Sequence, residues 1–300
     1  MLNKILNFGP FFIIIAALLW SLDGVLRIGL YLLPPAIVVF YEHFFGAVIL
    51  LFLFAFWIKD VVKMNKKQWL GISLVSLFSG ALGTILYTAA LGLINYSQYS
   101  VVVVLQQLQP IWAISASAIL LKEKITRKFL VWAGMALIAA YFVTFKDLTV
   151  NLSTGKGTLY AGIFALLAGF MWGSSTAVSK YVLNEISFLS VAALRFFMAP
   201  VFALAIIGLQ GNIDKLLILN KAQIISLIAI TLSTGLVALI IYYYGLKKTP
   251  ARVSSICELV WPASAVFIDF YFFHKDFTIT QVLGIIVLLF SIRKITQFKT

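Results

Sequence analysis

Two short stretches place polar side chains just ahead of a proline, inside runs otherwise apolar enough to cross a bilayer. They are Gln106-Gln107-Leu108-Gln109-Pro110 and Glu258-Leu259-Val260-Trp261-Pro262. In a helix, proline has no N–H and crowds the carbonyl four residues back, which frees the C=O of Gln106 and of Glu258. Such groups are tolerated at membrane depth only where protein or a water-filled cavity meets them. Gln106 and Gln109 could hydrogen-bond a solute, and Glu258 could bind an amine or carry a proton. The alternatives are structural. The glutamines could bond neighbouring helices at about 1 kcal/mol each, and Glu258 could pair with Arg252 or Lys248 near the end of its helix. Pro110 and Pro262 are the candidate hinge points.

Other residues with chemical potential lie in the same apolar runs. Trp20, Asp23, Arg27 and Tyr31 share one side of the first run. Asp23 and Arg27, four apart, can neutralise each other, so a self-contained pair and a substrate clamp both stay open. Arg195 could organise neighbouring helices or snorkel to the interface. His43 could change charge near neutral pH or act as a hydrogen-bonded filler. Trp20, Trp172, Tyr87, Tyr242 and Trp261 could line a cavity or serve as packing and interfacial anchors. Arg195, His43 and Arg27 are thus structural or coupling candidates, while Glu258, Gln106, Gln109, Asp23 and the five aromatics are candidates for substrate contact.

No catalytic constellation accompanies them. Phosphate-loop, HExxH and GxSxG patterns are absent. The one cysteine, Cys257, and two histidines leave neither a disulfide nor a metal site to expect, and no cofactor is implied.

The elements that hold these residues are spanning helices. Hydrophobic residues make up 62% of the 300 and charged residues 11%, which excludes an ordinary soluble domain. Ten runs of about 20 apolar residues are expected near 10–33, 35–57, 69–92, 97–121, 128–145, 158–182, 187–209, 222–246, 250–273 and 277–295. Tight pairs such as the one around Leu33-Pro34-Pro35 keep an eight- or nine-helix count open. Lys4 precedes an apolar run without a small-residue cleavage site, so the start reads as a span rather than a cleavable leader. With the N-terminus cytoplasmic, 16 of the 23 basic residues fall inside and five outside, so both termini are expected in the cytoplasm. The net charge of +13 then reflects cytoplasmic loops rather than nucleic-acid binding.

The chain also repeats internally. At an offset of 152, Trp20-Ser21 meets Trp172-Gly173, His43-Phe44-Phe45 meets Arg195-Phe196-Phe197, and Pro110 meets Pro262. At 155, Tyr87 meets Tyr242. Five spans per half make the repeat inverted, with 1–150 and 151–300 as its halves in one membrane domain, an architecture of secondary transporters. On the fourth and ninth segments, Val102, Gln106, Gln109, Ala113 and Ser117 match a stripe of Ser254, Glu258, Trp261, Ala265 and Asp269.

Ten spans in two five-helix repeats, with Trp172-Gly173, Arg195-Phe196, a proline in the fourth helix of each repeat, and Leu121-Lys122-Glu123-Lys124-Ile125-Thr126, resemble the EamA-type transporters of the drug/metabolite transporter superfamily. In this chain His43 stands where an Arg is common, Lys275-Asp276 displaces the second boundary acid, and Gln109 and Trp261 directly precede the prolines. The resemblance implies alternating-access transport of a small organic metabolite from a central site, with an amino-acid-like solute and export expected first. Proton coupling and a monomer or homodimer stay open. The expected location is the inner or plasma membrane of a prokaryote. A membrane-embedded lipid-modifying enzyme and a non-transporting receptor or scaffold are the alternatives.

Overall fold

Capping residues set many of the helix starts, and they do so in matching places in the two halves of the chain. In the computed structural model, Asn65 caps one helix by accepting from Gln68 N–H while the Gln68 side chain reaches back; Asn220 and Gln223 repeat this capping box. Thr126 accepts from the Phe129 N–H, and Thr278 accepts from the Gln281 N–H at the matching point of the second half.

The structure describes residues 8–93, 102, 105–144, 156–273, 276 and 278–297, and among them all regular structure is helical. The helices are α1 (Gly9–Leu30, with a turn at Ser21-Leu22), α2 (Pro35–Leu51), α3 (Phe54–Val61), α4 (Lys66–Leu93), α5 (Gln109–Leu120) and α6 (Arg127–Thr144). The second half holds α7 (Lys156–Leu183), α8 (Phe188–Leu209), α9 (Lys221–Lys247), α10 (Ala251–Cys257), α11 (Val260–Phe273) and α12 (Ile279–Thr296). Eight stretches among the described residues are long and apolar enough to span. A ninth counts if α2 and α3 form one broken span, and α5 is a shorter apolar helix. The run expected at 35–57 is not continuous: α2 and α3 meet at 98° after Leu51. The start of the segment expected at 97–121, and the side chains of Ala265, Asp269 and His274, lie outside the described residues.

Packing follows the same exchange of halves. α7 lies on α4 and α5, as α1 lies on α9 and on α10 and α11. α2 packs on α8, and α6 on α12, each helix against its counterpart. Wide π-helical turns interrupt α4 at Ser76–Gly83 and α9 at Thr231–Gly235, again at matching positions. Such turns commonly accompany functional sites because they re-aim side chains and loosen carbonyls. Ile13, Leu50, Ile72, Leu183 and Leu246 are fully buried in the shared core. Phe52, Ile119, Leu209 and Ile279 point outward, each at least 80% exposed. That apolar periphery suits lipid tails, which are as apolar as leucine. The protein is a multi-pass membrane protein.

Candidate functional site

The two proline breaks meet at the middle of the bundle. Turns at Gln107-Leu108 and Glu258-Leu259 precede α5 and α11. Pro262 denies Glu258 its usual helical partner, yet the Glu258 carbonyl accepts the Trp261 N–H at 3.0 Å, so it is not left free as the sequence suggested. The Gln106 carbonyl faces Gly169 of α7, where a Cβ would come within 3.1 Å, and a Cβ on Gly173 would come within 2.5 Å of the Gln109 carbonyl. Glycine at these two positions is what lets α7 press against the broken helix.

Glu258 lies between the breaks and is bound by neutral groups. Its Oε1 accepts from Tyr242 OH at 2.8 Å and Ser254 Oγ at 3.2 Å, and its Oε2 accepts from Gln109 Nε2 at 2.9 Å. Gln109 Oε1 in turn accepts from Gln106 Nε2 at 2.8 Å. The pairing with Arg252 or Lys248 does not occur. Arg252 joins Glu123, whose carboxylate also accepts the Ala251 and Arg252 N–H groups at the start of α10, and Lys248 sits over the Tyr244 ring. Gln107 points elsewhere, to Thr144.

Two aromatic pairs flank this centre. Trp20 of α1 packs on Tyr242 of α9 at 5.0 Å between ring centroids, and Trp172 of α7 packs on Tyr87 of α4 at 5.2 Å. Trp172 Nε1 donates to the Ser79 carbonyl at 3.2 Å, a group exposed by the π turn of α4.

Charged groups stand on the remaining sides. Arg27 is buried and holds Asp23 through Nε, but it also donates from Nη2 to Glu42 Oε2 at 2.7 Å. Thr234, from the π turn of α9, donates to Asp23 Oδ1 at 2.8 Å. The Asp23–Arg27 pair is therefore part of a cluster with Glu42, not self-contained. One cation facing two anions keeps this buried charge paired. Arg195 does not snorkel. It donates to Tyr243 OH and to the Ser79 carbonyl, both at 3.2 Å, while its Nε is buried with no hydrogen-bond partner. His43 Nδ1 lies 3.0 Å from the Val39 carbonyl, so that nitrogen carries the hydrogen, and its ring rests on Phe196.

All of these surround one cavity of about 170 Å³. Glu258, Gln106, Gln109, Trp20, Trp172, Tyr87, Tyr242, Trp261, Asp23, Pro110, Pro262, Arg195, His43 and Arg27, the candidates from sequence, all line it. Glu42, Ser79, Thr84, Thr234 and Ser255 line it as well, and none of them is among those candidates. Glu42 carries a signal in the sequence, an acid within an apolar run, but the repeat aligns its neighbour His43 with Arg195 and passes Glu42 by. Among the described residues no group of acids, histidines and cysteines is arranged to hold a metal ion. The arrangement offers flat aromatic walls, amide and carboxylate hydrogen bonds, and a guanidinium with a vacant N–H.

The EamA-like transporter family model matches twice, over residues 7–145 and 159–296. The chain belongs to the EamA-like transporter family. Among its curated relatives, this EamA-like transporter is 32% identical to the riboflavin transporter ImpX of Fusobacterium nucleatum over 291 residues, covering 96% of this chain and 97% of that one. It is 23% identical to an uncharacterized transporter of Archaeoglobus fulgidus, covering 90% and 91% of the two chains. The uncharacterized transporter YoaV of Bacillus subtilis is also 23% identical, with 92% of each chain covered. A solved crystal structure superposes with a TM-score of 0.74 at 13% identity, over 95% of this chain and 94% of that one, and shares the fold. The family and these relatives make the protein a non-enzymatic membrane transporter of a small metabolite.

Proposed function

We propose that this chain carries riboflavin, or a similarly flat heteroaromatic solute, across a prokaryotic cell membrane by alternating access. The observation that carries the reading is the 32% identity to a riboflavin transporter along almost the whole of both chains. The cavity's chemistry agrees with it. Paired aromatic rings on two sides can sandwich a planar ring system, and Gln106, Gln109 and Glu258 can meet its polar edge. In this reading the chain has ten spans with both termini cytoplasmic, and the halves 1–150 and 151–300 are inverted repeats. They rock about the cavity with Pro110 and Pro262 as hinges, and no cofactor takes part. Glu258 is the group through which a proton would be coupled.

A second reading is export of an amino-acid-like solute. The cavity holds Arg195, which meets no carboxylate among the described residues, and Glu258, which meets no cation; the two could take a carboxylate and an amine. Purified protein in liposomes, given labelled riboflavin or labelled amino acids in separate arms, distinguishes the two. Saturable riboflavin flux blocked by excess cold riboflavin supports the first reading, and amino-acid flux without riboflavin flux overturns it. Loading the label inside or outside, with and without a pH gradient, gives direction and coupling.

A further inference from the structure

The Glu258 carboxylate sets the direction of two side-chain amides in series. Its Oε1 already accepts two hydroxyl groups, Tyr242 OH and Ser254 Oγ, while Oε2 accepts only Gln109 Nε2. A carboxylate can only accept, so it holds the NH₂ end of Gln109 toward itself. Gln109 Oε1 must then face Gln106 and accept its Nε2, at 2.8 Å. This leaves Gln106 Oε1 buried with no hydrogen-bond partner, on a side chain that lines the cavity. A buried acceptor without a donor is unfavourable, and a solute N–H is the donor that this position can receive.

Protonation of Glu258 reverses the series. The proton goes to Oε2, the oxygen with a single partner. Oε2–H then donates to Gln109 Oε1, Gln109 turns over and donates from Nε2 to Gln106 Oε1, and Gln106 turns over in its place. The cavity now meets Gln106 Nε2, a donor, where it met an acceptor. No heavy atom of the backbone need move, because an amide keeps its shape when its O and N exchange places.

We propose that Glu258, Gln109 and Gln106 form a proton-read relay that makes Gln106 the specificity-determining contact for a solute N–H. Ionised Glu258 gives a site that accepts an N–H flanked by carbonyls; protonated Glu258 gives one that repels it. For a flavin, the N–H is that of the ring imide, N3, an assignment that rests on the function proposed above. The relay gives the proton a mechanical consequence at the solute with three side chains and no metal.

Other ionisable groups around the cavity are engaged elsewhere. Of the elements against α10, α1 brings Asp23, held by Arg27 and Thr234, and α5, α7 and α12 bring no charged side chain to the cavity. Tyr242 of α9 donates to Glu258 itself, and Cys257, the neighbouring thiol, is fully buried. Glu42 sits on Arg27, His43 on the Val39 carbonyl, and Arg195 on Tyr243 and Ser79.

Two measurements on the full-length protein test the relay. The first is competition for riboflavin uptake into proteoliposomes by riboflavin and by its N3-methyl derivative, from neutral to acid pH. Wild type should prefer the N–H compound about tenfold when Glu258 is ionised, the effect of one well-placed hydrogen bond, and the preference should fall in acid. Gln106→Leu should abolish the preference, and Glu258→Gln or Gln109→Leu should leave whatever preference remains independent of pH. Riboflavin uptake with equal competition by the methylated compound at every pH, or a preference that survives Gln106→Leu, overturns the relay and leaves the proposed function standing. The second is the infrared difference spectrum between acid and alkaline protein without solute. A protonated-carboxyl band removed by Glu258→Gln should appear together with a side-chain amide band removed by Gln106→Leu. A carboxyl band without the amide band overturns the relay even if no riboflavin is carried, and both bands together support it in that case too.

Discussion

Arg27 donates to Glu42 across 2.7 Å, joining α1 to α2 beside the cavity while the same guanidinium holds Asp23. Removing one member of a buried ion pair typically costs about 3–5 kcal/mol, because a charge is left uncompensated. The two ends of this contact should therefore be unequal. Glu42→Gln keeps an acceptor and leaves Asp23 as the counter-charge, for a loss of about 1 kcal/mol. Arg27→Met strands two carboxylates and should cost at least about 3 kcal/mol. Thermal unfolding in detergent should rank Arg27→Met well below Glu42→Gln, and adding Asp23→Asn and Glu42→Gln to Arg27→Met should recover much of the difference. The opposite ranking would remove Arg27 from the role of hub.

The two tryptophans differ in how they are held, and substitutions should show it. Trp172 combines ring contact with Tyr87 and a hydrogen bond to the Ser79 carbonyl. If the proposed flavin is the solute, Trp172→Ala should weaken its binding about 2- to 12-fold, the value of one aromatic contact at about 0.5–1.5 kcal/mol. Trp172→Phe should restore most of the affinity and leave only a small deficit in melting temperature, since the Ser79 carbonyl loses one hydrogen bond but keeps Arg195 Nη2 and Thr84 Oγ1 as donors. Trp20→Ala should weaken binding similarly, through the ring pair with Tyr242 alone. Titration of flavin fluorescence with purified variants reads all three, and wild-type affinity in both Ala variants would count against aromatic walls around the solute.

Much of this site is legible in the amino-acid sequence, for a physical reason. Lipid offers no hydrogen bonds, so Gln106, Gln109, Asp23, Arg27 and Glu258 in apolar runs have to face inward, and the repeat tells which of them share a level. What is illegible depends on partners from distant sequence. Glu42, an acid in an apolar run, has to face inward too, but the sequence does not say that its partner is Arg27 of another helix. The π turns at Ser76–Gly83 and Thr231–Gly235 are not announced by any proline, and it is the first that holds the Ser79 carbonyl bonded by Trp172 and Arg195. The 98° break after Leu51 lies in the unbroken apolar run Leu50-Leu51-Phe52-Leu53-Phe54, which carries no proline or glycine to mark it.

Close approach at the broken helix gives a prediction with an internal control. A Cβ on Gly173 would lie 2.5 Å from the Gln109 carbonyl oxygen, 2.9 Å from Trp112 Cβ and 3.1 Å from the Ala113 nitrogen, atoms fixed to the α5 backbone that cannot retreat without moving the helix. Gly173→Ala should therefore force α7 from α5 and cost about 1–3 kcal/mol, the range for overpacking. Gly134, in α6, has nothing within 4 Å of a Cβ. Gly134→Ala should be neutral or stabilise by up to about 1 kcal/mol through helix propensity. Melting of the two variants in one detergent decides it, and the inference fails if both behave alike.

Membrane orientation can be tested because the chain has a single cysteine, Cys257, and that residue is fully buried. Cys257→Ala gives a background with no thiol to label, at a cost limited to a small buried side chain. Lys124 lies exposed between α5 and α6, and Lys215 lies exposed between α8 and α9. In the proposed orientation, argued from the excess of basic residues, the first loop is cytoplasmic and the second is outside. Lys215→Cys should then react with a membrane-impermeant maleimide on intact cells, stripped of outer barriers where present. Lys124→Cys should react only after the membrane is opened. The proposed ten spans would put both termini on one side, so a tag at either end should be shielded together with Lys124→Cys. Labelling of Lys124→Cys from outside would invert the orientation, and shielding of one terminus with exposure of the other would make the number of spans odd.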